Sequence, residues 1–224
     1  MASLLRHILL APLLLTACGV VIYDITNREL ILEPVRRVIY DIDSGSVEVY
    51  AFKRNAINSA YYLTGYETSI KDVGHTLDGD VLHAIMDCDG DELCNANFFT
   101  EVPLGTEIEI HSHSGNVKLT GVDAEVEAEV EAGDFTGVGL RSPTFDLSLT
   151  SGAVTIDWLD PPETMQIAVE SGDVTLTLPA GTYRCDFTTA DGVVDNTGIT
   201  CDPAATASLA ISVQTGDIYV GVTP

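Results

Sequence analysis

The clearest copy of a repeated motif in this chain of 224 residues reads Ser171-Gly172-Asp173-Val174-Thr175-Leu176-Thr177-Leu178. The small polar residue and the glycine favour a turn, because glycine adopts positive φ without steric cost. Alternating apolar and polar residues follow, which is typical of a β-strand with one buried face. Each unit therefore supplies one strand, one turn and usually a second strand. The turn glycines are spaced 18, 19, 20, 20 and 24 residues apart, at Gly115, Gly133, Gly152, Gly172, Gly192 and Gly216.

The segment 124–131 distinguishes a strand from a helix. Its apolar residues occupy every second position and glutamates occupy the others. A helix would scatter these glutamates around its axis, whereas a strand places all four on one face. Repeats that cannot bury an apolar face alone stack on one another. We therefore predict an all-β fold, a repetitive β-solenoid or β-helix-like stack of sheets with repeats of about 20 residues. An ordinary β-sandwich is the alternative, although sandwiches do not usually repeat one turn motif.

These turns, together with Leu178-Pro179-Ala180-Gly181, resemble a bacterial family of domains of unknown function that bears the name "putative adhesin". Residues 44–52 resemble its opening strand, and residues 98–106 resemble the segment that leads into its repeats. The resemblance covers residues 38–224. The unit at Gly192 departs from the pattern, because it lacks the acidic turn residue and continues into a longer insertion. The resemblance implies a β-helix-like fold in an exported, often membrane-tethered protein, and it implies no catalytic residues.

The N-terminus has the features of an export signal. Arg6 and His7 precede an apolar run at 8–15 that is too short to cross the roughly 30 Å hydrocarbon core of a membrane. Leu15-Thr16-Ala17-Cys18 resembles a lipobox, which implies that Cys18 carries acyl chains such as palmitate after cleavage. Gly19 after this cysteine indicates the outer membrane of a bacterial envelope. We predict a signal peptide at 1–17, a lipidated lead segment at 18–37 and a β-repeat domain at 38–224.

Composition limits the partners. The chain has 34 acidic and 10 basic side chains, a formal net charge of −24. This charge repels phosphate backbones, so we predict no nucleic-acid partner. The predicted partners are the membrane, through the lipid, and a protein or glycan of the envelope that the sequence does not identify.

Four cysteines remain if Cys18 is lipidated, and they allow three pairings. Sequence separation favours the pairs Cys88–Cys94 and Cys185–Cys201. Metal binding by these thiols is the alternative, but the chain has no Cys-x-x-Cys spacing.

Asp87, Asp89 and Asp91 are weak candidates for a calcium site, because calcium prefers oxygen-rich clusters. They fit the first positions of an EF-hand loop. The match fails at Glu92 and Phe98, where that loop needs glycine and glutamate. A solvated acidic loop is the simpler interpretation, and no cofactor or metal is otherwise predicted.

Two histidines and a series of glutamates occupy outward positions of predicted strands. His111 and His113 could bind a transition metal, but no third ligand is near in sequence. The glutamates could form an acidic ladder that keeps a sheet face soluble, or a cation-binding surface. They are Glu107, Glu109, Glu125, Glu127, Glu129 and Glu131.

These observations predict a non-catalytic, lipid-anchored envelope protein that presents a β-repeat surface for adhesion or scaffolding. A calcium-dependent binding module is the alternative. A polysaccharide-acting β-helix enzyme is less favoured, because such chemistry needs a basic side chain in an acidic cleft, and of the chain's arginines only Arg141 and Arg184 fall within the repeats.

Overall fold

The structure is a computed structural model that describes residues 22–66, 70–88 and 94–222. Within these ranges the chain forms twenty β-strands and no helix, and it therefore has no helix that could serve as a membrane span. The strands are β1 (Ile22–Ile31), β2 (Arg37–Ile42), β3 (Val47–Phe52), β4 (Ile57–Tyr66), β5 (Ile70–Asp78), β6 (Val81–Cys88), β7 (Cys94–Pro103), β8 (Glu107–Ser114), β9 (Val117–Thr120), β10 (Val126–Ala132), β11 (Phe135–Leu140), β12 (Thr144–Ser151), β13 (Val154–Trp158), β14 (Thr164–Ser171), β15 (Val174–Leu178), β16 (Thr182–Asp191), β17 (Val194–Asn196), β18 (Thr200–Cys201), β19 (Ser208–Thr215) and β20 (Ile218–Val222).

The strands form two ten-stranded sheets. Sheet 1 has the order β1-β4-β7-β3-β9-β11-β13-β15-β20-β17, and sheet 2 has the order β18-β16-β19-β14-β12-β10-β8-β2-β6-β5. Each repeat contributes one strand to sheet 2, a glycine turn and one strand to sheet 1, and neighbouring repeats pair in parallel. This arrangement confirms the predicted all-β repetitive solenoid.

The core lies between the two sheets. Strand β10 alternates buried Val126, Ala128 and Val130 with exposed glutamates, as the period-two pattern predicted. Aromatic rings join the sheets: Phe145 of sheet 2 makes edge contacts with Phe135 and Trp158 of sheet 1, at centroid distances of 5.6 and 5.1 Å. The apolar side of nearly every repeat is thereby removed from water, which is the main stabilising term.

The turn glycines stack into what we call the glycine column, in the spatial order Gly45, Gly115, Gly133, Gly152, Gly172, Gly216 and Gly192. A Cβ at any column position from Gly115 onward would lie between 1.8 and 2.2 Å from the carbonyl oxygen of the preceding column glycine. All but Gly192 also have φ between +135° and +145°. Only glycine fits this close approach of backbones.

Where an Asp or Asn follows a column glycine, its side chain fastens the next coil. Oδ1 of Asp134 accepts a hydrogen bond from the backbone N–H of Ala153 at 2.9 Å, and Oδ1 of Asp173 accepts one from Asp217 at 2.8 Å. Asn116 caps Asp134 in the same way. The recurrent Gly-Asp pair is therefore explained by stacking and capping, without a ligand.

Two regions depart from simple stacking. Strands β1, β4 and β7 pair antiparallel, as do β5 and β6. Within the predicted lead segment 18–37, the stretch Ile22–Ile31 forms β1 and is part of sheet 1. At the other end, the coil of β19 and β20 inserts between the coils of β14–β15 and β16–β17.

Candidate functional site

Chemically distinctive side chains collect on the outer face of sheet 2. Strands β2, β8 and β10 lie side by side there, with Arg37 beside Glu107, Asp41 beside His111 and His111 beside Glu129. These positions alternate with buried residues such as Ile108 and Ile110, so the strand period directs them all to solvent.

Two arginines neutralise the first part of the predicted acidic ladder. Arg37 donates to Glu107 at 2.9 Å and to Glu109 at 2.8 Å, and Arg36 donates to Glu107 at 2.6 Å. Partial burial acts to raise the pKa of Glu107, but its bonds to Arg37 and Arg36 outweigh this and hold its pKa below the usual range. No local sequence pattern indicates this pairing, because about 70 residues separate the partners along the chain.

The two histidines interrupt the ladder further along the same face. Nε2 of His111 lies 3.1 Å from Glu109 Oε1 and its Nδ1 lies 3.6 Å from Glu129 Oε2, while Nδ1 of His113 lies 2.6 Å from Glu131 Oε2. Burial acts to lower the pKa of His111, but the hydrogen bond to Glu109 and the nearby carboxylates together raise its pKa. Glu109 and Glu127 lie directly opposite each other on β8 and β10, so two like charges are neighbours at this position.

An open groove of about 440 Å³ runs over this surface, which we call the acidic–histidine groove. Its charged lining consists of Asp41, Asp43, His111, His113, Glu129 and Glu131. The groove brings together both predicted histidines and two of the predicted glutamates. In the described ranges, however, no three such side chains are placed to hold a metal ion.

The other predicted site residues lie elsewhere. Asp87 is the penultimate residue of β6, and its Oδ1 lies 3.8 Å from Lys71 Nζ. Asp89, Asp91 and Cys18 fall outside the described residues. The structure contains the disulfides Cys88–Cys94 and Cys185–Cys201, which are the two pairs that sequence separation favoured.

A second polar cluster, which the sequence did not indicate, lies inside the N-terminal half. Nε2 of His75 is 2.8 Å from Ser59 Oγ, and Nδ1 of His75 is 3.4 Å from Glu29 Oε2 without hydrogen-bond geometry. Ser59 Oγ also lies 2.8 Å from Thr100 Oγ1. Glu29, His75 and Ser59 thus stand in the order that activates a serine nucleophile in hydrolases.

This cluster is sealed from substrate. Ser59 has no exposed surface, and the His75 ring packs between Tyr61 and Phe98 at centroid distances of 5.6 and 5.7 Å. Burial lowers the pKa of His75 to about 4, so its imidazole is neutral at ordinary pH. His75 belongs to edge strand β5 of sheet 2 and Ser59 to β4 of sheet 1, so their bond fastens the two sheets together.

The glycine column, the caps and the two-sheet stack agree with a comparison against known families. A family model described as Toastrack DUF4097 matches residues 35–220. The chain belongs to the Toastrack DUF4097 family. This result confirms the resemblance to a family of bacterial domains of unknown function that the repeated turns and the residues 98–106 indicated.

Solved structures also resemble the chain. A putative cell adhesion protein from Clostridium sporogenes is 11% identical, with a TM-score of 0.48 over 88% of this chain and 100% of that one. A putative adhesin from Bacteroides fragilis is 12% identical, with a TM-score of 0.39 over 88% and 97%. Among curated proteins, none matches the chain. Family membership therefore rests on the family model.

Proposed function

We propose that this Toastrack protein is a non-catalytic, lipid-anchored protein of the bacterial cell envelope that uses its outer sheet faces for adhesion. One observation carries the proposal: the paired arginines, histidines and glutamates lie on the open outer face of sheet 2, where a partner can reach them. In the Glu29–His75–Ser59 cluster, by contrast, the Ser59 hydroxyl and the His75 ring are buried. A site on an exposed sheet face is suited to binding another surface.

The lipobox-like segment at Cys18 supports the anchoring part of the proposal. Acyl chains stabilise membrane attachment by about 0.8 kcal/mol per buried methylene, so several chains would hold the protein firmly.

Protease treatment of intact cells tests the adhesion role. The protein is followed by antibody, with lysed cells as the positive control and a soluble periplasmic enzyme as the control for envelope integrity. We expect cleavage in intact cells while the periplasmic enzyme survives. Protection until lysis would place the domain inside the envelope, refute adhesion and favour a scaffolding role.

A further inference from the structure

A line of four aromatic side chains crosses the outer face of sheet 1, on the opposite side of the molecule from the acidic–histidine groove. Tyr62 pairs with Asn97, and Phe99 lies two residues further along the same strand. Phe99 in turn pairs with Glu48, and Tyr50 lies two residues beyond it. Each ring is therefore a diagonal neighbour of the next, about 8 Å away.

Phe52 extends this line along β3, and we call Tyr62, Phe99, Tyr50 and Phe52 the aromatic stripe. The rings of Tyr50 and Phe52 are nearly parallel, with an interplanar angle of 12° and a centroid distance of 6.4 Å. Tyr62, Phe99 and Phe52 are 40%, 44% and 41% exposed. Since large aromatic residues usually bury their faces, three such side chains on one line form a surface suited to a ligand.

Ordered polar groups border the stripe. Arg28 donates to Asn58 at 3.0 Å, Asn58 donates to Glu101 at 2.9 Å, and Arg54 pairs with Glu101. The hydrogen bond from Asn58 is the main reason that the pKa of Glu101 is lowered, so Glu101 stays ionised. These planar amide, carboxylate and guanidinium groups are held in place before any ligand arrives.

The charges at the stripe nearly balance, unlike those of the chain as a whole. Lys118 lies beside Glu48 in the neighbouring strand, and Arg54 stacks on the Phe52 ring at 5.1 Å. A polyanion gains little attraction here and meets a chain whose formal net charge is −24. An uncharged ligand avoids this cost.

We propose that the aromatic stripe binds a linear, uncharged polysaccharide. Sugar rings present C–H-rich faces that stack on the negative faces of aromatic rings, while their hydroxyl groups bond to the amides and charged groups along the border. The rings follow one line, and polar side chains interrupt the apolar surface beside Tyr62 (Asn97) and beside Phe99 (Glu48). This arrangement fits a chain of sugars better than the continuous apolar centre of a protein interface. This inference rests on the proposed adhesion role and names its partner class.

The test uses the full-length chain with Cys18→Ser, which remains soluble for titration if Cys18 is the lipid site; detergent-solubilised wild type serves as a second sample. Cellohexaose, chitohexaose and maltohexaose are titrated separately by calorimetry. We expect at least one to bind, with Tyr62→Ala and Phe99→Ala each weakening binding tenfold or more. Phe99→Trp, which keeps the ring face, should retain binding. Tyr219→Ala is the matched control, because Tyr219 is 41% exposed on the same sheet face but belongs to β20.

Three results would overturn the inference: no binding of any hexaose at millimolar concentration, equal weakening by Phe99→Ala and Tyr219→Ala, or a stripe-dependent protein partner in place of a sugar. These results are separable from the adhesion test. Cleavage of intact cells without hexaose binding would leave adhesion standing and refute the sugar class, whereas hexaose binding with protease protection would do the reverse.

Discussion

Replacing Gly152 with alanine should destabilise the solenoid severely. Its φ is +145°, a conformation that side chains rarely adopt, and a Cβ would lie 2.0 Å from the carbonyl oxygen of Gly133. That atom is backbone, so relief requires the coils to move apart. The movement would strain the bonds from Gly133 N–H to Ser151 O at 2.9 Å and from Gly152 N–H to Ser171 O at 3.0 Å.

The magnitude follows from these terms. Left-handed backbone strain costs about 1–2 kcal/mol, and each of the two weakened hydrogen bonds costs about 1 kcal/mol. Together with the steric overlap, these contributions lower the free energy of unfolding by about 4 kcal/mol. For a domain of this size, that loss lowers Tm by about 8–16 °C.

Gly79→Ala is the matched control. Gly79 has φ of +63° in the turn between β5 and β6, but nothing lies within 4 Å of its Cβ position. It therefore incurs only the backbone strain, a loss of about 1–2 kcal/mol. Thermal unfolding followed by circular dichroism compares the two variants with the wild type. Similar Tm values for Gly152→Ala and Gly79→Ala would refute the close-packed glycine column.

Three other predictions concern capping, pH and covalent links. Asp134→Ala should cost about 1 kcal/mol in urea unfolding, because the backbone N–H of the next coil loses its acceptor, whereas Asp134→Asn keeps an oxygen and should cost less. The pKa of His75 is lowered from 6.5 to about 4, so the unfolded chain binds the extra proton and stability should fall as pH drops from 6.5 towards 4. This loss is at most about 3 kcal/mol, and the difference between wild-type and His75→Gln unfolding curves measures it. Removing the Cys185–Cys201 link, which joins residues 16 positions apart, should cost about 3 kcal/mol, and an unchanged urea midpoint in the double serine variant would contradict this.

Much of the solenoid could be predicted because the sequence of each repeat shows which residues form the turn and which face of the strand is buried. The alternation at 124–131 correctly assigns the buried and exposed faces of β10. The order in which the C-terminal coils stack could not be predicted from the turn motifs of the sequence. The units at Gly172, Gly192 and Gly216 follow one another along the chain, but in the stack the unit at Gly192 is outermost.

Hydrophobicity explains the exchange of positions. The inward row of β19 consists of Leu209, Ile211 and Val213, which are at most 2% exposed, whereas Phe187 in the corresponding row of β16 is only half-buried. The more apolar coil takes the interior position, and the less apolar coil forms the end. Comparing inward rows, rather than turn motifs, could have revealed this order.

The candidate site was only partly predictable. The alternation of side chains between the two faces of a strand placed His111, His113 and the glutamates on one face, because this alternation is a local property of the sequence. The neutralising arginines come from β2, and the Glu29–His75–Ser59 cluster joins three strands of two sheets. Such contacts depend on which strands become neighbours, and no local pattern in the N-terminal half specifies that.

Attachment to the membrane through Cys18 is the claim on which the function depends, and labelling with a palmitate analogue tests it most directly. Cells that express the wild type or Cys18→Ser receive the analogue, and membranes are separated and washed with carbonate before the protein is detected by antibody. The account predicts a labelled wild type in the membrane fraction and an unlabelled Cys18→Ser variant in the soluble fraction. An unlabelled wild type, or a Cys18→Ser variant that stays with the membranes, would contradict it.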